Sequence, residues 1–193
     1  MSKSDKLTNQ GAVASRSRSA QKVLDSERRF IDDLFQVRLL TFEARPRVIK
    51  VMAEHGLKQG DDRLEIYAMC ELPSNVTRAD EFLRIFDGYS IGSNDLTQLV
   101  LGIDRDSGTV SHLFDENDRA VLSLIAEVID EAQRARKPIG ICGQAPSDFP
   151  GFARWLVEQG ITSISLNPDT AIRTALVIAD EEPEILKQRA SAA

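Results

Sequence analysis

After Gly60 the sequence settles into successive units of a short apolar run, a polar loop and a longer stretch with apolar residues at helical spacing. The apolar runs are Leu64–Met69, Tyr89–Gly92, Pro138–Cys142 and Ile161–Leu166. Between the first two, Ala79, Phe82, Leu83 and Phe86 recur at helical intervals, and before the third come Val121, Leu124, Ile125, Val128 and Ile129. Helices are further predicted over 149–159, stopped by Gly160, and over 169–181. Strands separated by helix-length segments cannot pair through tight turns, so they form a parallel sheet with helical crossovers. The fold class is therefore expected to be α/β, and its functional groups are expected at the C-terminal ends of the strands.

Those ends are where reactive side chains occur. Glu71 follows the first strand, Asn94 and Asp95 follow the second, and Cys142 ends the third. The fourth ends in Ser165-Leu-Asn-Pro, which reads as a helix cap with proline at the first helical position. Asn94 and Asp95 have two readings: caps for a helix over 95–101, or ligands. Glu71 and Asp95 would lie on one rim from neighbouring strands. Two hard oxygen donors with waters and a substrate oxygen suit Mg²⁺, which takes few protein carboxylates. Arg105 offers a planar donor to a carboxylate or phosphate. Cys142 stands between glycines, in Gly140-Ile-Cys-Gly, where backbone can approach a ligand closely. It is either a small buried hydrophobe or a thiol that exchanges a proton.

Composition narrows the partners. A chain of 193 residues with 42% hydrophobic and 28% charged residues suits one soluble domain. The net charge of −6 argues against nucleic acid as the main partner. No apolar run approaches the roughly 20 residues of a membrane span. The opening Met-Ser-Lys-Ser-Asp-Lys lacks the apolar core of a secretory signal, and the two cysteines, Cys70 and Cys142, form no CxxC pair. Cytoplasm is the expected compartment. Residues 1–20, with Ser-Arg-Ser-Arg-Ser at 15–19, read as a disordered arm. A helix is expected from Ala20 to about Leu40, and a second over 47–55 ending at Gly56. Asn75 and Asn117 are the expected caps of the helices that follow them, and residues from 182 onward are expected to form a frayed helical tail.

Five stretches together resemble the phosphoenolpyruvate-utilising enzyme family. They are Met69-Cys-Glu-Leu-Pro-Ser-Asn, Gly88-Tyr-Ser-Ile-Gly-Ser-Asn-Asp-Leu-Thr-Gln, Gly102-Ile-Asp-Arg-Asp-Ser-Gly, Gly140-Ile-Cys-Gly-Gln-Ala-Pro-Ser-Asp and Ser163-Ile-Ser-Leu-Asn-Pro-Asp-Thr. The likeness runs in order from about Arg47 to Ala179. It implies a (β/α)₈ barrel of the TIM type that binds Mg²⁺ and pyruvate or phosphoenolpyruvate, with these units as its C-terminal half, about strands 5–8. Carried over by position, Glu71 and Asp95 match the metal ligands. Gly92, Ser93, Asn94, Asp95, Arg105 and Gly143 fall at substrate-binding positions, and Cys142 matches the acid/base that exchanges a proton with C3 of the enolate.

The family reaction converts ATP, pyruvate and water to phosphoenolpyruvate, AMP and phosphate. Relatives place a nucleotide-binding domain and a phosphohistidine domain ahead of the barrel. Neither is expected within these 193 residues, and His55 and His112 do not lie in a phosphohistidine motif. The expected layout is an arm over 1–20, helical segments over 21–60, a partial barrel over 61–182 and a tail over 183–193. Half a barrel leaves sheet edges and an apolar face open, so a homo-oligomer or a separately encoded N-terminal part is the expected partner. Two other readings stand beside the truncated phosphotransferase. One is a metal-dependent lyase or aldolase acting on a 2-oxo acid. The other is a non-catalytic binding or regulatory remnant.

Overall fold

The computed structural model describes residues 45–192, and these fall into two compact units that divide between Asp61 and Asp62. The arm expected over 1–20 and the helix expected over 20–40 lie outside the described residues. In the first unit, residues 45–54 form helix α1. It ends as its sequence suggests: Gly56 takes φ 73°, and the Leu57 N–H donates to the Met52 carbonyl at 2.8 Å.

The second unit is an α/β layer. Strands β1 (Tyr67–Cys70), β2 (Gly88–Gly92), β3 (Ile139–Cys142) and β4 (Ser163–Ile164) lie in the order β1-β2-β3-β4, and every neighbouring pair is parallel. Helices α2 (Pro73–Thr77) and α3 (Ala79–Leu83) connect β1 to β2, and α4 (Ser93–Leu101) and α5 (Arg119–Arg134) connect β2 to β3. Helices α6 (Ala145–Asp148) and α7 (Pro150–Gln159) lead into β4, and α8 (Pro168–Ala192) follows it.

The core forms where the helices meet one face of this sheet. Tyr89, Ile91, Ile139 and Ile141 from the strands, Val121, Ile125, Val128 and Ile129 from α5, and Leu156 from α7 are all essentially inaccessible. Burying each such side chain contributes about 1.5–3 kcal/mol. The alternation along β1 shows the other face: Ala68 and Cys70 are buried, whereas Tyr67 and Met69 are 43% and 42% exposed.

Several boundaries depart from the sequence reading, each for a local reason. The first strand begins at Tyr67 rather than Leu64 and takes in Cys70, whose partner in register is Ile91. The fourth covers only Ser163–Ile164 instead of residues 161–166, because it has one neighbour, although Thr162 and Ser165 donate to the Ile139 and Ile141 carbonyls on either side of it. Helix α5 is capped by Asp118, whose Oδ1 accepts from the Ala120 N–H at 2.7 Å, and not by Asn117. Helix α8 begins at Pro168 as expected but continues through Pro183 to Ala192 in place of a separate tail. Ile185, 4% exposed, anchors it beyond the proline.

Candidate functional site

The register sets the site. Cys70 pairs with Ile91, and Gly92 pairs with Cys142, so the ends of β1, β2 and β3 stand side by side. Glu71 leaves β1 into a loop held from below by Asn75. That side chain is buried, and its Oδ1 accepts from the Glu71 N–H at 3.2 Å and the Leu72 N–H at 2.9 Å. Asn75 is thus not a cap ahead of its helix. Pro73 opens α2, and Asn75 reaches back from inside the first turn.

The half-buried Glu71 side chain lies against β2. A Cβ placed on Gly92 would stand 3.0 Å from Glu71 Oε2 and 3.1 Å from its Cβ, so any side chain there would press Glu71 outward by a few tenths of an ångström. Burial raises the Glu71 carboxyl above the ordinary range, and the negative charge of Asp95 raises it further. Glu71 just past β1 and Asp95 in the first turn of α4 thus both stand at the C-terminal rim of the sheet.

The capping alternative for Asn94 and Asp95 does not hold. Helix α4 starts at Ser93 with Gly92 at the cap position, and no side chain accepts from its first N–H groups. Both residues sit within the first turn, half-buried, with their side chains free for other partners. The Asn94 amide has one orientation that satisfies its neighbours: its nitrogen donates to Glu116 Oε1 at 3.1 Å and its oxygen accepts from Arg105 Nη1 at 3.1 Å. Arg105 comes from the exposed loop after α4, where its N–H also donates to Gln98 Oε1 at 3.3 Å. Ser93 Oγ donates to the same Glu116 oxygen at 2.5 Å. Gly143, just past β3, packs so closely on Ser93 that an added Cβ would fall 1.9 Å from Ser93 Oγ.

Glu116 is absent from the sequence reading, and only 7% of it is exposed. Its carboxyl is raised, with burial as the main cause and Asp148 adding to it; Ser93, the Ala145 N–H and Arg105 pull the other way. In the sequence it lies in Asp115-Glu-Asn-Asp, where a run of acids and amides before a helix looks like solvated capping residues. His112, in a short 3₁₀ turn at Ser111–Leu113, is exposed, as its loop setting suggests.

Of the two thiols, Cys70 is fully buried in the core, and burial pushes its pKa far up. Cys142 is half-buried at the rim. Its Sγ accepts from Ser90 Oγ at 3.4 Å and donates to the Ile91 carbonyl at 3.5 Å. Ser90 is a second residue that the sequence reading passes over. Nothing in a strand interior marks one serine as facing a thiol on the next strand until the register is known. Among the described residues, no group of three or more His, Cys, Asp or Glu side chains is placed to hold a metal. Nor is any described helix long and apolar enough to cross a membrane.

Known proteins resemble much of this chain. The pattern of the PEP-utilising enzyme, PEP-binding domain, matches residues 37–182. The chain is 56% identical over 145 residues to the phosphoenolpyruvate synthase of Aquifex aeolicus, covering 75% of this chain and 17% of that protein. It is 62% identical over 136 residues to that of Synechocystis, covering 70% of this chain and 17% of that protein. The Escherichia coli enzyme is 53% identical over 140 residues, covering 72% of this chain and 18% of that protein. The chain thus spans about a sixth of the length of these relatives. Among solved structures, a HpcH/HpaI aldolase/citrate lyase family protein from Burkholderia cenocepacia aligns with a TM-score of 0.44 and 16% identity, covering 64% of this chain and 44% of that one. A HpcH/HpaI aldolase from Desulfitobacterium hafniense gives 0.42 and 22%, covering 64% and 44%. Likeness at that level carries no functional weight.

Proposed function

This chain belongs to the PEP-utilising enzyme family, and on that premise we propose that its rim is the Mg²⁺-dependent pyruvate and phosphoenolpyruvate site of a phosphoenolpyruvate synthase. The observation that carries the reading is the placement of Glu71, whose Oε2 lies 3.0 Å from where a Gly92 Cβ would stand, at the strand end from which Asp95 follows in the first turn of α4. Such a pair, completed by waters and a ligand oxygen, fits the one or two carboxylates that Mg²⁺ takes from protein. When bound, the cation supplies charge stabilisation for an enolate oxygen.

The remaining roles follow from what the side chains offer. Arg105 and Asn94 bind and orient the anionic end of the substrate. Gly92, Ser93 and Gly143 keep the floor of the site low, because bulk at Gly92 presses on Glu71 and bulk at Gly143 collides with Ser93. Cys142 holds a proton at Sγ, directed at the Ile91 carbonyl, and gives it to C3 of the enolate as pyruvate forms. The Ser90 hydroxyl, already donating to Sγ, then steadies the thiolate. In the synthetic direction the same sulfur takes the proton back. The conversion of ATP, pyruvate and water to phosphoenolpyruvate, AMP and phosphate is the activity of the larger assembly in this reading. In it, β1–β4 are the C-terminal strands of a (β/α)₈ barrel, and further strands, whether from a second copy or a separately encoded part, cover the face that exposes Tyr67 and Met69.

The test is calorimetric titration of the purified chain with oxalate, an enolate mimic, with and without Mg²⁺. The expected result is binding that requires Mg²⁺ and disappears in a Glu71→Ala, Asp95→Ala double variant. Folded protein that binds no oxalate at millimolar concentration, with Mg²⁺ present, would overturn the reading.

A further inference from the structure

We propose that Glu116 is the positioning residue of this site: it sets which end of the Asn94 amide faces Arg105, and so holds the guanidinium ready for an anion. The inference rests on the reading of the rim as an anion site and adds to it a residue outside the expected set. Glu116 arrives from the loop before α5 and hydrogen-bonds neither Glu71 nor Asp95. Its Oε1 instead collects two donors from the start of α4, Ser93 Oγ at 2.5 Å and the Asn94 amide nitrogen at 3.1 Å. One buried carboxylate therefore holds both of the residues that begin α4.

The chemistry makes this an orienting device. An asparagine amide presents a donor at one end and an acceptor at the other, and rotation by half a turn exchanges them at almost no steric cost. An ionised carboxylate only accepts. Placed at 3.1 Å from the amide, it selects the rotamer whose nitrogen points inward and whose oxygen points outward to Arg105 Nη1, also at 3.1 Å. Arg105 sits on an exposed loop, and among the described residues its guanidinium has no other side-chain hydrogen-bond acceptor. Without the Asn94 oxygen it would sample many rotamers and would have to be ordered when a ligand binds, which weakens binding.

Glu116→Gln separates this role from a merely structural one. Glutamine has the same shape, so the fold is retained. Its single oxygen is a weaker acceptor than a carboxylate oxygen for Ser93 and Asn94, and when its NH₂ turns toward α4 in place of that oxygen the NH₂ must find an acceptor. The Asn94 oxygen is the one at hand. Taking it turns the amide round and faces its NH₂ toward Arg105, donor against donor.

The experiment is oxalate titration in Mg²⁺ on the full chain, for wild type, Glu116→Gln, Glu116→Asp, Asn94→Ala and the Glu116→Gln, Asn94→Ala double variant. Side-chain amide NMR signals are followed in parallel, with the Asn94 pair assigned by its loss in Asn94→Ala. The expected result is that Glu116→Gln melts close to wild type but binds oxalate about tenfold more weakly, the equivalent of one hydrogen bond to a charged group. Glu116→Asp, which keeps the acceptor, restores part of the loss. The double variant binds no worse than Asn94→Ala alone, because Glu116 acts through Asn94. Equal oxalate affinity in wild type and Glu116→Gln, or full additivity in the double variant, would overturn the proposal. If wild type binds no oxalate, the site reading fails, and the NMR arm still decides the positioning role. The Asn94 amide pair should be shifted and slow to exchange in wild type and revert to solvent-like values in Glu116→Gln, and an unmoved pair would overturn it.

Discussion

Gly143→Ala is the substitution whose cost can be worked most directly from the geometry. Gly143 does not occupy the left-handed region, so alanine meets no backbone penalty there. In the unfolded chain the change is favourable by about 0.4–1 kcal/mol, since alanine has less freedom to lose. The new methyl carbon, however, would lie 1.9 Å from Ser93 Oγ and 3.2 Å from Ser93 Cβ. Ser93 is fully buried and its hydroxyl is committed to Glu116. Turning the hydroxyl away leaves a buried carboxylate short of a donor, at about 1–3 kcal/mol. Shifting the backbone instead costs a similar 1–3 kcal/mol, as overpacking does. The net loss is about 1–2 kcal/mol, which in a chain of this size lowers Tm by roughly 2–8 °C.

Urea unfolding of four proteins tests the cause as well as the size. They are wild type, Gly143→Ala, Ser93→Ala and the double variant, with the midpoint compared at unchanged slope. Ser93→Ala removes the oxygen that collides, so Gly143→Ala should cost about 1 kcal/mol less in that background, a coupling of the size expected for touching residues. A wild-type midpoint for Gly143→Ala would refute the reasoning. So would an equal cost in both backgrounds, because the collision would then lie elsewhere.

Two further outcomes are expected. Burial and Asp95 raise the Glu71 carboxyl, so ionising it costs folding free energy. That cost is absent below the ordinary carboxylate range near pH ~4.3 and grows as pH rises through the folded value. Glu71→Gln should therefore stabilise the metal-free protein at pH 7.5 and leave pH 4 unchanged in thermal melts, and an equal gain at both would count against the pairing with Asp95. For the thiols, a colourimetric thiol reagent should label Cys142 quickly and Cys70 only in denaturant, since one is half-buried and the other inaccessible. Oxalate with Mg²⁺ should slow the Cys142 reaction, and indifference to the ligand would place the sulfur outside the site.

Much of this architecture was legible because sheet order and strand ends follow from periodicity. Apolar runs at intervals filled by helical patterns admit a parallel sheet and little else, and Glu71, Asn94, Asp95 and Cys142 stand at its rim as expected. Capping was less legible. Asn75 and Asn117 were expected to cap helices, and capping was one of two readings for Asn94 and Asp95, yet none of them does: Pro73 opens α2, Asp118 caps α5, and Gly92 starts α4 without a side chain. Where two or three Asx residues lie within a few positions, sequence cannot choose between them. The choice is made by which one the packed helix leaves in extended backbone. Glu116 and Ser90 lay beyond reach for another reason. Their partners are 23 and 52 residues away, at Ser93 and Cys142, and only the assembled register supplies them.

The failure of the capping reading bears on the chemistry. Had Asn94 or Asp95 capped α4, its oxygen would have been spent on backbone N–H groups and lost to any ligand. With Gly92 in that place, Asp95 keeps its carboxylate for the rim beside Glu71, and Asn94 keeps both ends of its amide, one for Glu116 and one for Arg105. The price is electrostatic: Asp95 adds its negative charge to that of Glu71, Glu116 adds another beside Arg105, and this negative charge would repel a carboxylate or phosphate ligand. A divalent cation between Glu71 and Asp95 reverses that sign where an anionic substrate must approach. Metal and substrate binding should therefore be coupled, each strengthening the other by the same factor. On this argument oxalate raises Mg²⁺ affinity as much as Mg²⁺ raises that of oxalate, which is why the titration belongs in both directions.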